Sequence, residues 1–189
     1  MNGKTKIWRN GTSMPKPLAG HCAIRHLDAI YVIGSADAFL EVFKYNITRD
    51  DWKVLNPDLD HKDPQLMMPP LARQDFACAF SDDKDTIFVT GGNLTHNGSV
   101  VSECFAFNIS KSIWRPMASF ISQPRARHIM TKFQNLTTIV GGINARGDAL
   151  TTMESLRDDE TWTILSYNLT NGRKNFGVTR VPTQLLPNT

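Results

Sequence analysis

"TIFVTGGNLTHNGSVVSECFAFNISKSIW", residues 86–114, sets a β-branched apolar run against Gly91-Gly92, then a polar loop, then an aromatic strand-like segment ending at Trp114. A run of this kind reads as a buried strand, and glycine ends it where a side chain would not fit. The same order recurs. "AIYVIGS" (29–35, with Gly34) leads to "LEVFKYNITRDDW" (40–52), and "TTIVGG" (137–142, with Gly141 and Gly142) leads to "TTMESLRDDETW" (151–162). Tyr45 and Phe107 each stand seven residues before a tryptophan, Trp52 and Trp114, whereas Ser155 holds that place before Trp162.

A hairpin precedes each glycine: "HCAIRHLDAIYVIG", "DFACAFSDDKDTIFVTG" and "HIMTKFQNLTTIVG", with turns at 26–28, 81–85 and 134–135. Each is two short strands around a polar turn. The unit is therefore strand, turn, strand ending in glycine, loop, strand, turn, strand carrying tryptophan, which makes a four-stranded antiparallel sheet. Helical periodicity is absent almost everywhere, and ten prolines punctuate the chain.

The 189 residues are 41% hydrophobic and 21% charged, enough to bury a core. A net charge of +3 spread without a basic block gives no nucleic-acid surface, and no apolar run approaches a membrane span. Cys22, Cys78 and Cys104 form no C-x-x-C pair, and an odd count predicts reduced, buried thiols. Seven asparagines stand in N-x-S/T: Asn10, Asn46, Asn93, Asn97, Asn108, Asn135 and Asn168. Chance placement would give roughly two, so secretion with glycosylation is one reading. The plainer one is that Asn, Ser and Thr are turn residues of an all-β chain. The expected location is the cytoplasm, with secretion as the alternative should a leader precede this sequence.

The tryptophans at 8, 52, 114 and 162 give a period near the ~50 residues of kelch repeats. With the glycine pairs, the aromatic ahead of each Trp, "SMP" and "RPM" after Trp8 and Trp114, and "PRARH" before the third hairpin, the whole chain resembles a kelch-type β-propeller. The resemblance implies an all-β fold of about three complete blades, 18–57, 72–119 and 120–168, with an irregular connector at 58–71. Residues 1–17 would be the last strand of a preceding blade, and 169–189 the first strand of a further one, since "RKNF" at 173–176 matches "RQDF" at 73–76. Such an array does not close, so an incomplete piece of a larger kelch protein is a further reading. The resemblance also implies a non-catalytic protein-interaction module, such as a substrate adaptor for a cullin-type ubiquitin ligase, or an actin-binding one. A secreted kelch glycoprotein is the alternative.

No H-E-x-x-H, G-x-S-x-G or phosphate-binding glycine loop is present, so neither an enzyme nor a cofactor is expected. His21 and Cys22 point to opposite faces of a strand and cannot share a metal. The candidate binding residues are two sets of loops opening on one rim. Asp37, His96, Asn97, Arg146 and Asp148 follow the glycines. Arg73, Gln74, Asp75, Arg125, Arg127 and His128 follow the Trp strands. Converging arginines suit an acidic peptide through bidentate bonds. Against that, Arg73, Arg127 and Arg173 recur with the repeat, as they would if an Arg satisfied carbonyls between sheets; Arg125, Arg146 and His96 are less tied to it. Self-association through open sheet faces is also expected.

Overall fold

Left-handed backbone at hairpin tips opens the sheets: Leu27 (φ 52°), Lys84 (φ 62°), and the pair Gln134 (φ 48°) and Asn135 (φ 64°). Positive φ at a tight turn matches the right-handed twist of the strands it joins. The computed structural model describes residues 8–35, 39–55 and 70–178.

The first sheet runs β1 (Cys22–His26), β2 (Ala29–Ser35), β3 (Leu40–Asn46) and β4 (Asp51–Leu55), in that order and all antiparallel. β5 (Arg73–Gln74) follows. The second sheet is β6 (Ala77–Phe80), β7 (Thr86–Thr90), β9 (Cys104–Asn108) and β10 (Ile113–Pro116), while the short β8 (Asn93–Leu94) pairs with β5. The third is β11 (Ile129–Phe133), β12 (Leu136–Val140), β13 (Met153–Leu156) and β14 (Trp162–Ile164).

Strand alternation places the core in layers. Ile87, Val89, Phe107 and Trp114 of the second sheet pack with Tyr31, Ile33, Leu40 and Val42 of the first. The other face of the second sheet offers Phe88, Cys104 and Ala106 to Ile139 and Leu156 of the third. Trp52 stands opposite Tyr45, and Trp114 opposite Phe107, with ring centroids 4.9 and 5.0 Å apart. In the third sheet the residue opposite Trp162 is Leu156, because the turn there is one residue shorter; Ser155 pairs with Thr163. Trp8 lies at the start of an irregular segment and is 99% exposed.

Between the sheets run irregular arms. Residues 117–128 lay their backbone on the second sheet, with Met117 N–H to Cys104 O (2.9 Å), Ile121 N–H to Ser102 O (3.2 Å) and Arg125 N–H to Val101 O (3.2 Å). Their side chains reach the third: Ser122 donates to Glu154 (2.7 Å) and Ser119 to Glu160 O (2.9 Å). Residues 165–178 repeat that path on the third sheet, through Leu165 to Met153, Leu169 to Thr151 and Arg173 to Leu150. Residues 8–20 meet the first sheet with side chains, Lys16 on Glu41 and Trp52 on the carbonyl of Thr12.

These arms correct the propeller expectation. Among the described residues, sheet follows sheet in an open series. An arm runs along the outer side of the first and of the third, and no strand of the third pairs with one of the first. Nothing among the described residues closes a ring. Residues 8–17 and 169–178 form no strand, and the 58–71 connector falls almost wholly outside the described residues. A second correction concerns the thiols: Cys22 and Cys78 are joined in a disulfide across β1 and β6, leaving only Cys104 free.

Candidate functional site

In each irregular segment beside the sheets one residue takes a left-handed backbone: Gly20 (φ 62°), Asp75 (φ 59°), Arg127 (φ 57°) and Asn175 (φ 53°). They are linked in series. Asp75 N–H donates to Gly20 O (2.9 Å), Arg127 N–H to Asp75 O (2.7 Å) and Asn175 N–H to Arg127 O (3.2 Å). This row of peptide hydrogen bonds crosses from sheet to sheet, and it fixes the residues beside it.

Two positions upstream stand Arg73, Arg125 and Arg173. The Arg73 guanidinium, fully buried, donates to Gly91 O (3.3 Å) and Glu103 (2.8 Å) on the second sheet. Arg125, also fully buried, donates to Gly141 O (3.1 Å), Thr152 O (3.3 Å) and the buried carboxylate of Glu154 on the third. Burial pulls both guanidinium pKa values down, and Glu103 and Glu154 pull back. The backbone completes each joint. Gly92 N–H donates to Arg125 O (2.9 Å) and Gly142 N–H to Arg173 O (2.7 Å). In the first sheet, where Ser35 replaces the second glycine, its hydroxyl does the same for Arg73 O (3.1 Å).

The glycines are fixed by this crowding. A Cβ on Gly91 would lie 2.3 Å from Arg125 O, and one on Gly142 2.6 Å from Ala126 O. On Gly92 and Gly141 it would meet Gln74 O and Arg173 O at 2.9 and 2.8 Å, and on Gly34 the Leu18 side chain at 2.7 Å.

His128 sits behind the joint, buried, with Nε2 2.9 Å from Thr90 Oγ1 and Nδ1 without a hydrogen-bond partner. Burial, reinforced by the Arg125 charge, pushes its pKa down to about 3, so it is neutral at pH 7. Cys104 is held as a thiol, its pKa pushed up to about 12 by burial.

Of the expected rim residues, Asp75 and Arg127 come together in an ion pair (3.0 Å), beside a depression of about 140 Å³ shared with His21, His128 and Phe176. Gln74 pairs with Asn93 in the short ribbon. His96 and Asn97 are exposed on the loop after β8; Arg146 is exposed and Asp148 accepts from Asn144 (3.0 Å) on the corresponding loop of the third sheet. Asp37 lies outside the described residues. The repeating arginine is thus 73, 125 and 173 rather than 73, 127 and 173, and Arg73 and Arg125 are fully buried against partners within the chain, so neither presents its guanidinium to an incoming carboxylate. Their partners Glu103 and Glu154 were missed. The available signal was a glutamate inside an apolar strand, in "SECF" and "TMESL".

Among the described residues no three His, Cys, Asp or Glu side chains gather as metal ligands, and no helix is long and apolar enough to cross a membrane. What the geometry does is join one sheet to the next.

No family model matches the sequence, and neither does any curated protein. Among solved structures 135 chains match. One, titled "Structure of YjhT", superposes with a TM-score of 0.64 at 16% identity, over 85% of this chain and 53% of its own. At that identity the likeness is one of fold alone, and this chain spans about half the length of that structure. The kelch-propeller assignment is therefore corrected, the ligase-adaptor and actin-binding readings drawn from it fall away, and the glycoprotein reading loses its kelch part: what stands is an all-β chain of serially docked antiparallel sheets.

Proposed function

We propose that the chain binds a second copy of itself, docked head to tail on the outer face of the third sheet. The observation that carries this reading is Arg173. It occupies the place at which Arg73 and Arg125 are buried against a glutamate of the next sheet, yet it is exposed. Its carbonyl already holds Gly142, so the arm is set as in the other two joints, with no sheet of the described residues on its far side.

The first sheet carries the matching acceptor. Glu41 lies opposite Gly34, in the register that Glu103 keeps beside Gly91. Its present partner is Lys16 (2.9 Å), from an arm that offers Leu18 where the two seams between sheets have Arg73 and Arg125. An incoming arm 165–178 supplies a forked guanidinium in place of an ammonium, a better fit to carboxylate plus carbonyl. Head-to-tail contacts of this kind extend a series rather than pair two equal patches.

Sedimentation velocity across a concentration series tests this. The mass is expected to rise with concentration, to stay monomeric in Arg173→Glu and in Glu41→Arg, and to rise again when both changes share one chain. A monomer at every concentration, or four indistinguishable proteins, overturns it.

A further inference from the structure

We infer that this chain matures in an oxidising compartment and carries N-linked oligosaccharide on Asn10, Asn97, Asn135 and Asn168. Two independent observations meet here. The first is the covalent joint between Cys22 on β1 and Cys78 on β6, with Cα atoms 6.1 Å apart, inside the range a disulfide bridges without backbone movement. Such a bond between strands of two sheets belongs to a compartment that favours disulfides. Its formation removes two electrons and two protons from the two thiols, which a disulfide-bearing exchange partner takes up as it becomes a dithiol. Cys104, buried and held as a thiol, stays out of that exchange.

The second observation is how the seven acceptor sequences divide. Asn10, Asn97, Asn135 and Asn168 are exposed. Asn97 precedes Gly98, around which a Cβ would find nothing within 4 Å, and Asn135 stands at the tip of the β11–β12 hairpin. Asn93 and Asn108 are half-buried, and each spends its Nδ2 on an internal carboxylate, Asp75 (3.3 Å) and Asp85 (2.9 Å). Asn46 is half-buried and caps its turn by accepting from Arg49 N–H (2.7 Å). So turn chemistry accounts for Asn46, Asn93 and Asn108 and leaves the other four open to solvent.

Attachment forms a bond from asparagine Nδ2 to the first sugar carbon. It breaks the bond from that carbon to the pyrophosphate of a lipid-linked oligosaccharide, and one Nδ2 proton leaves. The glycan at Asn168 is compatible with a docked third-sheet face. Its counterpart on the arm between the second and third sheets is Phe120, which remains 58% exposed although that seam is closed.

The experiment takes the full chain from its own cells. Mass spectrometry is run before and after peptide N-glycosidase, and denatured protein is alkylated with and without prior reduction. The expected result is a mass that falls on digestion, with aspartate appearing at 10, 97, 135 and 168 and not at 93 or 108. Cys104 alone is expected to alkylate before reduction. An unchanged mass, aspartate at 93 or 108 instead of the exposed positions, or all three cysteines alkylating without reductant would each overturn the inference.

Discussion

Arg125 and Glu154, both without solvent exposure, form an ion pair across the seam of the second and third sheets; Arg73 and Glu103 repeat it one seam earlier. A buried pair stabilises weakly against an apolar replacement, but half of one is costly. Glu154 also accepts from Ser122 N–H (2.8 Å) and its hydroxyl (2.7 Å), so its removal strands three donors. Glu154→Gln is expected to lower stability by about 3–5 kcal/mol. Arg125→Met with Glu154→Leu should recover most of that, read from urea unfolding midpoints.

Glycines should divide by what surrounds them rather than by φ. Gly147 (φ 87°) has nothing within 4 Å of its missing Cβ, so alanine there meets only backbone strain of about 1–2 kcal/mol. Gly91 (φ 61°) faces Arg125 O at 2.3 Å, and alanine there must open the seam. Thermal melts should rank Gly91→Ala far below Gly147→Ala.

His128 gives a pH dependence whose sign follows from its depressed pKa. The folded chain keeps the ring neutral down to about pH 3, while the unfolded chain protonates it near 6.5. Its contribution is complete above pH 6.5 and is lost as pH falls from there towards 3, with a limiting slope of about 1.4 kcal/mol per pH unit. His128→Gln should flatten the stability profile between pH 7 and 5. Glu160, held down by its hydrogen bond to Arg115, and Asp83, held down by Ser81, lose theirs only below their ordinary carboxylate range.

The Cys22–Cys78 bond closes a sequence separation of 56 residues, for which chain entropy sets a stabilisation of about 4 kcal/mol as an upper figure. Reductant should lower the melting temperature of the parent and of Cys104→Ser alike. It should leave Cys22→Ser/Cys78→Ser unchanged.

The strands were legible because glycine, hairpin turns and period-two alternation are local signals. "TIFVTGG" becomes β7 and its terminating pair, and Gln134–Asn135 becomes a hairpin tip. The arms were not legible. Residues 117–128 and 165–178 hold their sheets through backbone groups, which every sequence carries, and so show no side-chain period. Cysteines so far apart carry no pairing signature, and the arginine repeat was displaced by two residues because Arg127 resembles Arg73 as well as Arg125 does. The expected propeller blades came from counting repeats, whereas how the sheets stack depends on what their terminal faces meet.

The row through Gly20, Asp75, Arg127 and Asn175 keeps one geometry although the chain lengths between its members differ. Insertion tolerance should therefore be sharply uneven. Extra residues at a loop tip such as 145–147 leave every joint in place. A single residue added between Arg125 and Arg127 shifts guanidinium, carbonyl and left-handed peptide out of phase at once. The molecule is a ruler whose marks are rigid and whose gaps are elastic.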